Sequence, residues 1–567
     1  MLLSPRMRRL LLAALAAALV APGRAEAAAP IMPLADVQAG ARCTGLTVVR
    51  GTEVTSFDVE VVDVIGAERP RTARILVRVS GPAVDATGLG PGFSGSPVLC
   101  PGADGVDRTI GAISETVGEY GGRTAIATPI EAILAQPPEP SAAVPAAVPS
   151  ARALAAPLTI AGLRPSLADS FTRAARNAGH VLLSSPAGPR VTFAPQPLVP
   201  GSAVTVGVTS GDISIGALGT VAYVDGPTVW MFGHPMDGAG RRALFLQDAY
   251  VHAVINNPIA VPDVSTYKLS SPGNDVGTIT SDGPSAVVGR LGGLPPNFPL
   301  RVTARDLSSG RVTSNLTRIA DEGDVGLPAG VSPLGLAAAA AVADAAGNVL
   351  AGAPARQSGD MCVTVTLREL RAPLHFCNRY AVDGQVPNAL AGAAVADMSA
   401  AVGTLDGYRF GTLHPTAVDV GLRARAGLDQ AFITGATALH RVRRGRALPV
   451  LLHLRHTGTG ARSTQTIRVR VPLDTPRGLR TLRLRGTPAD IGGDPNNPGD
   501  LSIVFEPQDT GDDPGPRSLD ELRRAFAALH HSDAVSATFG GGSRRDVYRD
   551  PRLRITGQAR LHVIVHP

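Results

Sequence analysis

The chain has 567 residues, more than one hydrophobic core usually serves, so three or four folded units are expected. Hydrophobic residues make up 44% and charged residues 18%, a balance typical of folded domains and not of a disordered chain. The formal net charge of +6 falls to about +3 without residues 1–28, which hold four arginines and one glutamate, and so small a charge argues against a nucleic acid partner.

The N-terminus has the three parts of a secretory signal peptide. Three arginines precede a short apolar stretch at residues 10–21, and Ala25 and Ala27 offer small residues for cleavage. We expect residues 1–28 to be removed and the mature protein to be exported to the periplasm or the extracellular space. An uncleaved anchor is the alternative. No other segment reaches the about 18 apolar residues of a membrane span, so we expect no stable span after cleavage.

The next residues, 31–136, have the pattern of a β-rich unit. Phe57, Val59 and Val61 alternate with acidic residues, which is the period of a half-buried strand. Residues 137–160 are rich in proline and alanine and are typical of an extended linker. A second unit is expected at residues 161–329, with a helix near residues 166–178 followed by short strands.

The last region, residues 330–567, begins with an alanine-rich helix and continues with strands. Val450, Leu452 and Leu454 recur at every second position, which favours an antiparallel β-sandwich. The sequence therefore predicts a mostly β protein with a β-sandwich-like C-terminal region and a few helices.

Four cysteines are present, and an even number in an exported chain predicts two disulfides. Three pairings are compatible with the sequence. We favour Cys43–Cys100 and Cys362–Cys377, because each pair lies within one predicted unit. Four reduced, buried thiols are the alternative.

The segment GFSGSP at residues 92–97 is the sharpest chemical signal. A serine between glycines suits a nucleophile on a tight turn, and the backbone N–H groups of Gly92 and Ser94 could form an oxyanion hole. The following order of strand, turn, strand and short helix resembles the end of a trypsin-like β-barrel. The alternative is an ordinary hairpin rich in glycine and serine.

A serine nucleophile needs a base, and His234 is the candidate because it follows an apolar strand within FGHPMD at residues 232–237. His180, after a helix end, and His252, inside a strand, are the other histidines before the C-terminal region. Lys268 is the only lysine, which excludes a lysine-based dyad almost everywhere in the chain. Because metal-binding and phosphate-binding motifs are missing, we expect no metal or other cofactor.

Two blocks of the sequence resemble the SpoIVB-type serine peptidases, a family named for a sporulation stage IV protein. The first block holds GLTVV, FDVEV, GFSGSP and IGA, at residues 45–49, 57–61, 92–97 and 110–112. The second holds IG, GH, GTI and VGRLG, at residues 215–216, 233–234, 277–279 and 288–292. The resemblance covers about residues 31–300 and implies a trypsin-like double β-barrel with Ser94 as nucleophile and His234 as general base.

The chain departs from the family in two ways. The serine block comes first here, so the two halves are circularly permuted, which triad geometry tolerates because it does not depend on chain order. The family also has an acid shortly before its serine, where this chain has VSGP at residues 79–82. Asp85 and Asp237 are the substitutes for a third member, and a dyad without an acid is the alternative.

The sequence thus predicts an exported serine endopeptidase that cleaves envelope or secreted proteins. Its partner would be a protein or peptide substrate. A catalytically degenerate peptidase-fold module that binds proteins in the cell envelope is the rival hypothesis, and the missing acid favours it. An esterase would use the same serine and histidine.

Overall fold

The computed structural model describes residues 28–567, with gaps at 70, 118–121, 141–156, 186–192, 258–265, 323–331, 353, 384–388, 488–503, 505–514, 530, 532, 541, 543–544 and 551. The predicted signal peptide lies outside the described residues apart from residue 28, and so does most of the predicted linker. Among the described residues, no helix has the length and apolarity required to cross a membrane.

The first unit is a closed β-barrel of six strands in the order β1-β2-β3-β6-β5-β4. The strands are β1 (Arg42–Thr47), β2 (Thr55–Ile65), β3 (Arg74–Ser80), β4 (Pro97–Pro101), β5 (Asp107–Thr116) and β6 (Thr124–Pro129). A 3-10 turn at Leu34–Asp36 precedes them, and helix α1 (Ile130–Leu134) follows. The alternating Phe57, Val59 and Val61 of β2 are buried in the barrel core, as their period predicts.

The second unit is also a barrel, because β11 and β12 pair and close a ring in the order β12-β15-β14-β13-β9-β11. Its strands are β9 (Ala203–Gly207), β11 (Ser214–Asp225), β12 (Thr228–Met231), β13 (Gly240–Ile255), β14 (Tyr267–Gly283) and β15 (Ala286–Leu291). Two short strands, β7 (Leu158–Ala161) and β8 (Leu182–Ser184), extend the sheet beyond β11, with helix α2 (Pro165–Asn177) between them in the chain.

The two barrels share an apolar interface. Its members include Ala112, Ile130 and Ile133 from the first unit and Tyr223, Trp230 and Val288 from the second. The Trp230 indole also donates a hydrogen bond of 3.1 Å to the Gln136 carbonyl. Apolar packing and a hydrogen bond therefore join the two units.

The third unit is a six-stranded sheet packed against helices, with strand order β10-β17-β16-β20-β18-β19. The strands are β10 (Thr209–Gly211), β16 (Asn297–Asp306), β17 (Val312–Ala320), β18 (Arg356–Leu367), β19 (Leu374–Asp383) and β20 (Pro415–Ala426). Its core includes residues of α3 (Pro333–Val349), α4 (Ala389–Asp406) and α5 (Leu519–Ala527). Strands β16 and β17 precede residue 329 but pair here, so the ring of the second barrel ends with β15.

The fourth unit is a sheet with its own core, in the order β24-β23-β21-β28-β25-β26-β27 with β22 beside β28. Its strands are β21 (Gln430–Ala438), β22 (Arg441–Arg443), β23 (Ala447–His456), β24 (Arg462–Arg470), β25 (Gly478–Gly486), β26 (Ala534–Phe539), β27 (Arg545–Arg549) and β28 (Arg554–His566). The predicted fold class is confirmed: the protein is mostly β, with two barrels and a β-rich C-terminal region.

Both predicted disulfides are confirmed. Cys43–Cys100 joins β1 to β4 within the first barrel. Cys362–Cys377 joins residues that lie directly opposite each other on β18 and β19. Each bond therefore stays within one unit, which is the reason for which these pairs were favoured.

Candidate active site

The turn that carries Ser94 leads into β4 at the interface between the barrels. Gly92 and Gly95 have φ angles of +94° and +91°, a left-handed region that L side chains rarely adopt. A Cβ atom at Gly95 would also overlap the Thr220 carbonyl oxygen. The Gly95 N–H donates a hydrogen bond of 2.7 Å to the Ile113 carbonyl. Glycine is therefore required here by backbone conformation and by the close approach of the second barrel.

The Ser94 side chain is fully buried, and its Oγ has no hydrogen-bond partner among the described residues. The amides of Gly92 and Ser94 likewise have no acceptor within that part of the chain, whereas the neighbouring Gly95 and Ser96 amides are occupied. Backbone N–H groups without an acceptor are available to bind an oxyanion, and this role of Gly92 and Ser94 stays a prediction.

His234 follows β12 on a turn with unusual backbone geometry. Phe232 has a φ of +70° and is the only non-glycine residue with a positive φ in the described part of the chain. Such a conformation costs a bulky residue about 1–3 kcal/mol and tends to occur at functional sites. Gly233 continues the turn with φ +71°, and its carbonyl accepts a hydrogen bond of 2.7 Å from Thr128 of the first barrel.

The serine and histidine turns meet on Thr220 of β11. The Thr220 N–H donates to the Ser94 carbonyl at 2.8 Å, and its carbonyl accepts from the Phe232 N–H at 3.3 Å. Its hydroxyl donates to the Gly92 carbonyl at 2.9 Å. The fold thus brings the turns of both predicted residues, Ser94 and His234, to one place in the barrel interface.

The His234 imidazole is buried in a defined tautomer. Its Nδ1 lies 2.6 Å from the Pro235 carbonyl oxygen, which can only accept, so Nδ1 carries the proton. Its Nε2 has no partner among the described residues, so no hydrogen bond joins it to Ser94 Oγ. Burial lowers the pKa of the imidazole, an effect partly opposed by the bond to Pro235. A neutral imidazole with a free Nε2 lone pair is the form of a general base.

No family model, no curated protein and no solved structure matches this chain.

The two carboxylates proposed as third members have other partners. Asp237 forms an ion pair with Arg242 and accepts a hydrogen bond of 3.1 Å from the Ala239 N–H. Asp85 is exposed and lies 3.9 Å from Arg123. Neither carboxylate is hydrogen-bonded to the imidazole, so an orienting role for either stays a prediction without a contact to support it.

Lys268 is a component of the site that the sequence did not indicate. Its Nζ donates to the hydroxyls of Thr47 at 2.6 Å and Thr220 at 3.3 Å, and it lies 4.3 Å from the centre of the Phe93 ring. Thr47 in turn accepts from Ser96 at 3.1 Å. Burial lowers the pKa of Lys268 well below its usual value. The lysine joins the serine turn to both barrels, and only the fact that it is unique could have drawn attention to it.

Two other groups of side chains with catalytic or metal-binding atoms do not belong to this site. His252 Nε2 is hydrogen-bonded at 2.8 Å to Ser271, which is not a residue of the GFSGSP turn. Cys362, His375 and Cys377 place three ligand-type atoms within 4.8 Å of one another, but both sulfurs form the disulfide and are not thiolates. Neither group forms part of the Ser94 site.

Proposed function

We propose that this protein is an exported serine endopeptidase in which Ser94 is the nucleophile and His234 the general base. The main support is that two turns meet on Thr220 and that each carries a buried polar atom without a hydrogen-bond partner among the described residues, the Ser94 hydroxyl on one and His234 Nε2 on the other. The resemblance of residues 31–300 to SpoIVB-type peptidases supports the same assignment.

In the proposed reaction, His234 Nε2 accepts the Ser94 proton as Oγ bonds to the substrate carbonyl carbon. The N–H groups of Gly92 and Ser94 hold the resulting oxyanion, and one such donor typically lowers the barrier by about 2.7–4 kcal/mol. The imidazolium then gives its proton to the leaving amine as the peptide bond breaks. Water, activated by the same base, hydrolyses the acyl-enzyme and regenerates Ser94.

Export is supported by the two disulfides, because such bonds persist in oxidising compartments. The signal-peptide pattern of residues 1–28 supports the same conclusion. We therefore infer that the substrate is an envelope or secreted protein.

A catalytically degenerate module that binds proteins is the second candidate. It is favoured by the missing hydrogen bond between Ser94 and His234 and by the lack of a carboxylate on the imidazole within the described residues. The peptidase is preferred because the free atoms are a donor and an acceptor of the correct kind, and because apo sites are often looser than working ones.

Fluorophosphonate labelling of the mature, oxidised protein tests the proposal. We expect covalent labelling of the wild type at Ser94, with loss of labelling in Ser94→Ala and in His234→Ala. Ser96→Ala is the matched control, since Ser96 belongs to the same segment and is also fully buried. It should keep its labelling, and peptide mapping should locate the probe on Ser94.

Persistent labelling in Ser94→Ala would refute the assignment of the nucleophile. A correctly folded wild type that is not labelled at any pH between 6 and 9 would instead favour the binding module.

A further inference from the structure

A buried carboxylate lies behind the His234 turn. Asp282, near the end of β14, is fully buried and accepts three backbone hydrogen bonds. Its Oδ1 accepts from the Met236 N–H at 2.8 Å, and its Oδ2 accepts from the N–H groups of Asp237 at 2.8 Å and Gly238 at 2.9 Å. The segment that follows His234 is therefore wrapped around this one carboxylate.

No cation lies within 4.0 Å of the Asp282 carboxylate in the part of the chain that the structure describes. The nearby Arg242 is already paired with Asp237 and with Glu322, the latter at 3.0 Å. Burial and the neighbouring Asp237 raise the pKa of Asp282 to about 7, whereas the backbone N–H groups favour its ionised form. When Asp282 is ionised, its negative charge is stabilised by these three peptide N–H groups.

One of those peptide groups also touches the catalytic histidine. The Met236 N–H and the Pro235 carbonyl belong to the same planar peptide unit, in which N–H and C=O point in opposite directions. Asp282 binds the N–H, and His234 Nδ1 donates to the carbonyl oxygen at 2.6 Å. The atoms form a continuous chain from imidazole to carbonyl, amide and carboxylate.

We propose that Asp282 is the positioning residue of the base, and that it acts on His234 through the Pro235–Met236 peptide unit. The carboxylate fixes the plane of this peptide and polarises it, which makes the carbonyl a stronger acceptor for Nδ1–H. The imidazolium formed when His234 takes the Ser94 proton is stabilised along the same chain. Asp282 thus has the function of the acid in a Ser-His-Asp triad, with one peptide unit inserted.

The catalytic part of this inference rests on the proposed function, but the hydrogen-bond chain does not. The first experiment is therefore ¹⁵N NMR of the histidine-labelled wild type at pH 8, with the His234 signal assigned by its loss in His234→Ala. We expect the Nδ1–H tautomer. In Asp282→Asn, which removes the charge and keeps the shape, the pKa of His234 should fall because the imidazolium loses its distant anion.

The second experiment measures the fluorophosphonate labelling rate at pH 8. It should fall by about 10- to 100-fold in Asp282→Asn, less than the about 10⁴-fold loss seen when an acid in direct contact is neutralised. The matched control is Asp248→Asn, since Asp248 is another fully buried carboxylate of this barrel that accepts a backbone N–H, from Gln196 at 2.9 Å. The control should leave the His234 pKa and the labelling rate within twofold of wild type.

An Nε2–H tautomer in the wild type would overturn the inference, and this reading requires no variant to fold. An unchanged His234 pKa in a folded Asp282→Asn protein would overturn it as well. If the wild type shows the Nδ1–H tautomer and the pKa responds to Asp282 but no labelling occurs, then the peptidase assignment fails while the chain of hydrogen bonds stands.

Discussion

Replacing Lys268 with methionine tests how the barrel interface tolerates the only lysine of the protein. The side chain is 1% exposed, and its hydrogen-bond partners are two threonine hydroxyls. Within the described residues, no carboxylate lies within 4.0 Å of Nζ, so the ammonium form has no counter-ion. Methionine has a similar length and can fill the same space without a polar atom.

The effect of Lys268 on the free energy of unfolding, and its dependence on pH, follow from proton linkage. In the unfolded chain the lysine stays protonated up to a pH of about 10.4, whereas burial lowers its pKa well below that value in the folded protein. Between the two pKa values the unfolded state binds one more proton, so stability rises with pH. The rise is about 1.4 kcal/mol per pH unit, it starts at the folded-state pKa, and it ends near pH 10.4. The methionine variant lacks this term.

Urea unfolding at pH 7, 8 and 9 measures this contribution of Lys268 as the difference in the free energy of unfolding between wild type and Lys268→Met. The fluorescence of Trp230, the only tryptophan, reports on the same barrel, so the other units need not unfold with it. Because other titrating groups are common to both proteins, their contributions cancel. A difference that does not change with pH would refute the reasoning, since Lys268 would then be protonated in both states.

Two further predictions concern the first barrel. Gly95→Ala should destabilise the protein by about 3 kcal/mol or more and abolish fluorophosphonate labelling, because the new Cβ overlaps the Thr220 carbonyl. The control Gly105→Ala, at a positive φ with open space around it, should destabilise the protein by only about 1–2 kcal/mol and keep labelling. Equal losses of stability in the two variants, measured by thermal unfolding, would contradict the steric argument. Replacing Cys43 and Cys100 together with alanine should cost about 4 kcal/mol in urea unfolding, since that bond closes a loop of 57 residues; an unchanged midpoint would contradict it.

Local patterns in the sequence predicted much of the fold. The period of two at Phe57, Val59 and Val61 reflects a strand with one face in a barrel core, and this face is fixed by the strand itself. The partner of a strand is not fixed in this way. Strand β16 shows the same alternation at Phe298, Leu300 and Val302, but it pairs with β20 of the third unit, a choice made by packing between segments far apart in the chain.

The residues of the candidate site also differ in whether the sequence could indicate them. Ser94 and His234 could be chosen from the sequence because their tight turns require neighbouring glycines, and those glycines are recognisable as a sequence motif. Asp282 could not, because the dipeptide Asp-Gly at the end of a strand predicts an ordinary turn. Its importance arises from peptide groups 44–46 residues away, to which the fold alone brings it.

The Ser94 hydroxyl and the His234 Nε2 atom are complementary in hydrogen bonding. A buried polar atom without a partner costs about 1–3 kcal/mol, and Ser94 Oγ and His234 Nε2 both lack one within the part of the chain that the structure describes. With Nδ1 protonated, Nε2 is an acceptor, while the hydroxyl is a donor, so each is the partner that the other lacks. A shift of either turn that forms this hydrogen bond would remove the desolvation penalty of both atoms. It would also create the nucleophile–base pair, so the energetics of the interface and the proposed chemistry favour the same rearrangement.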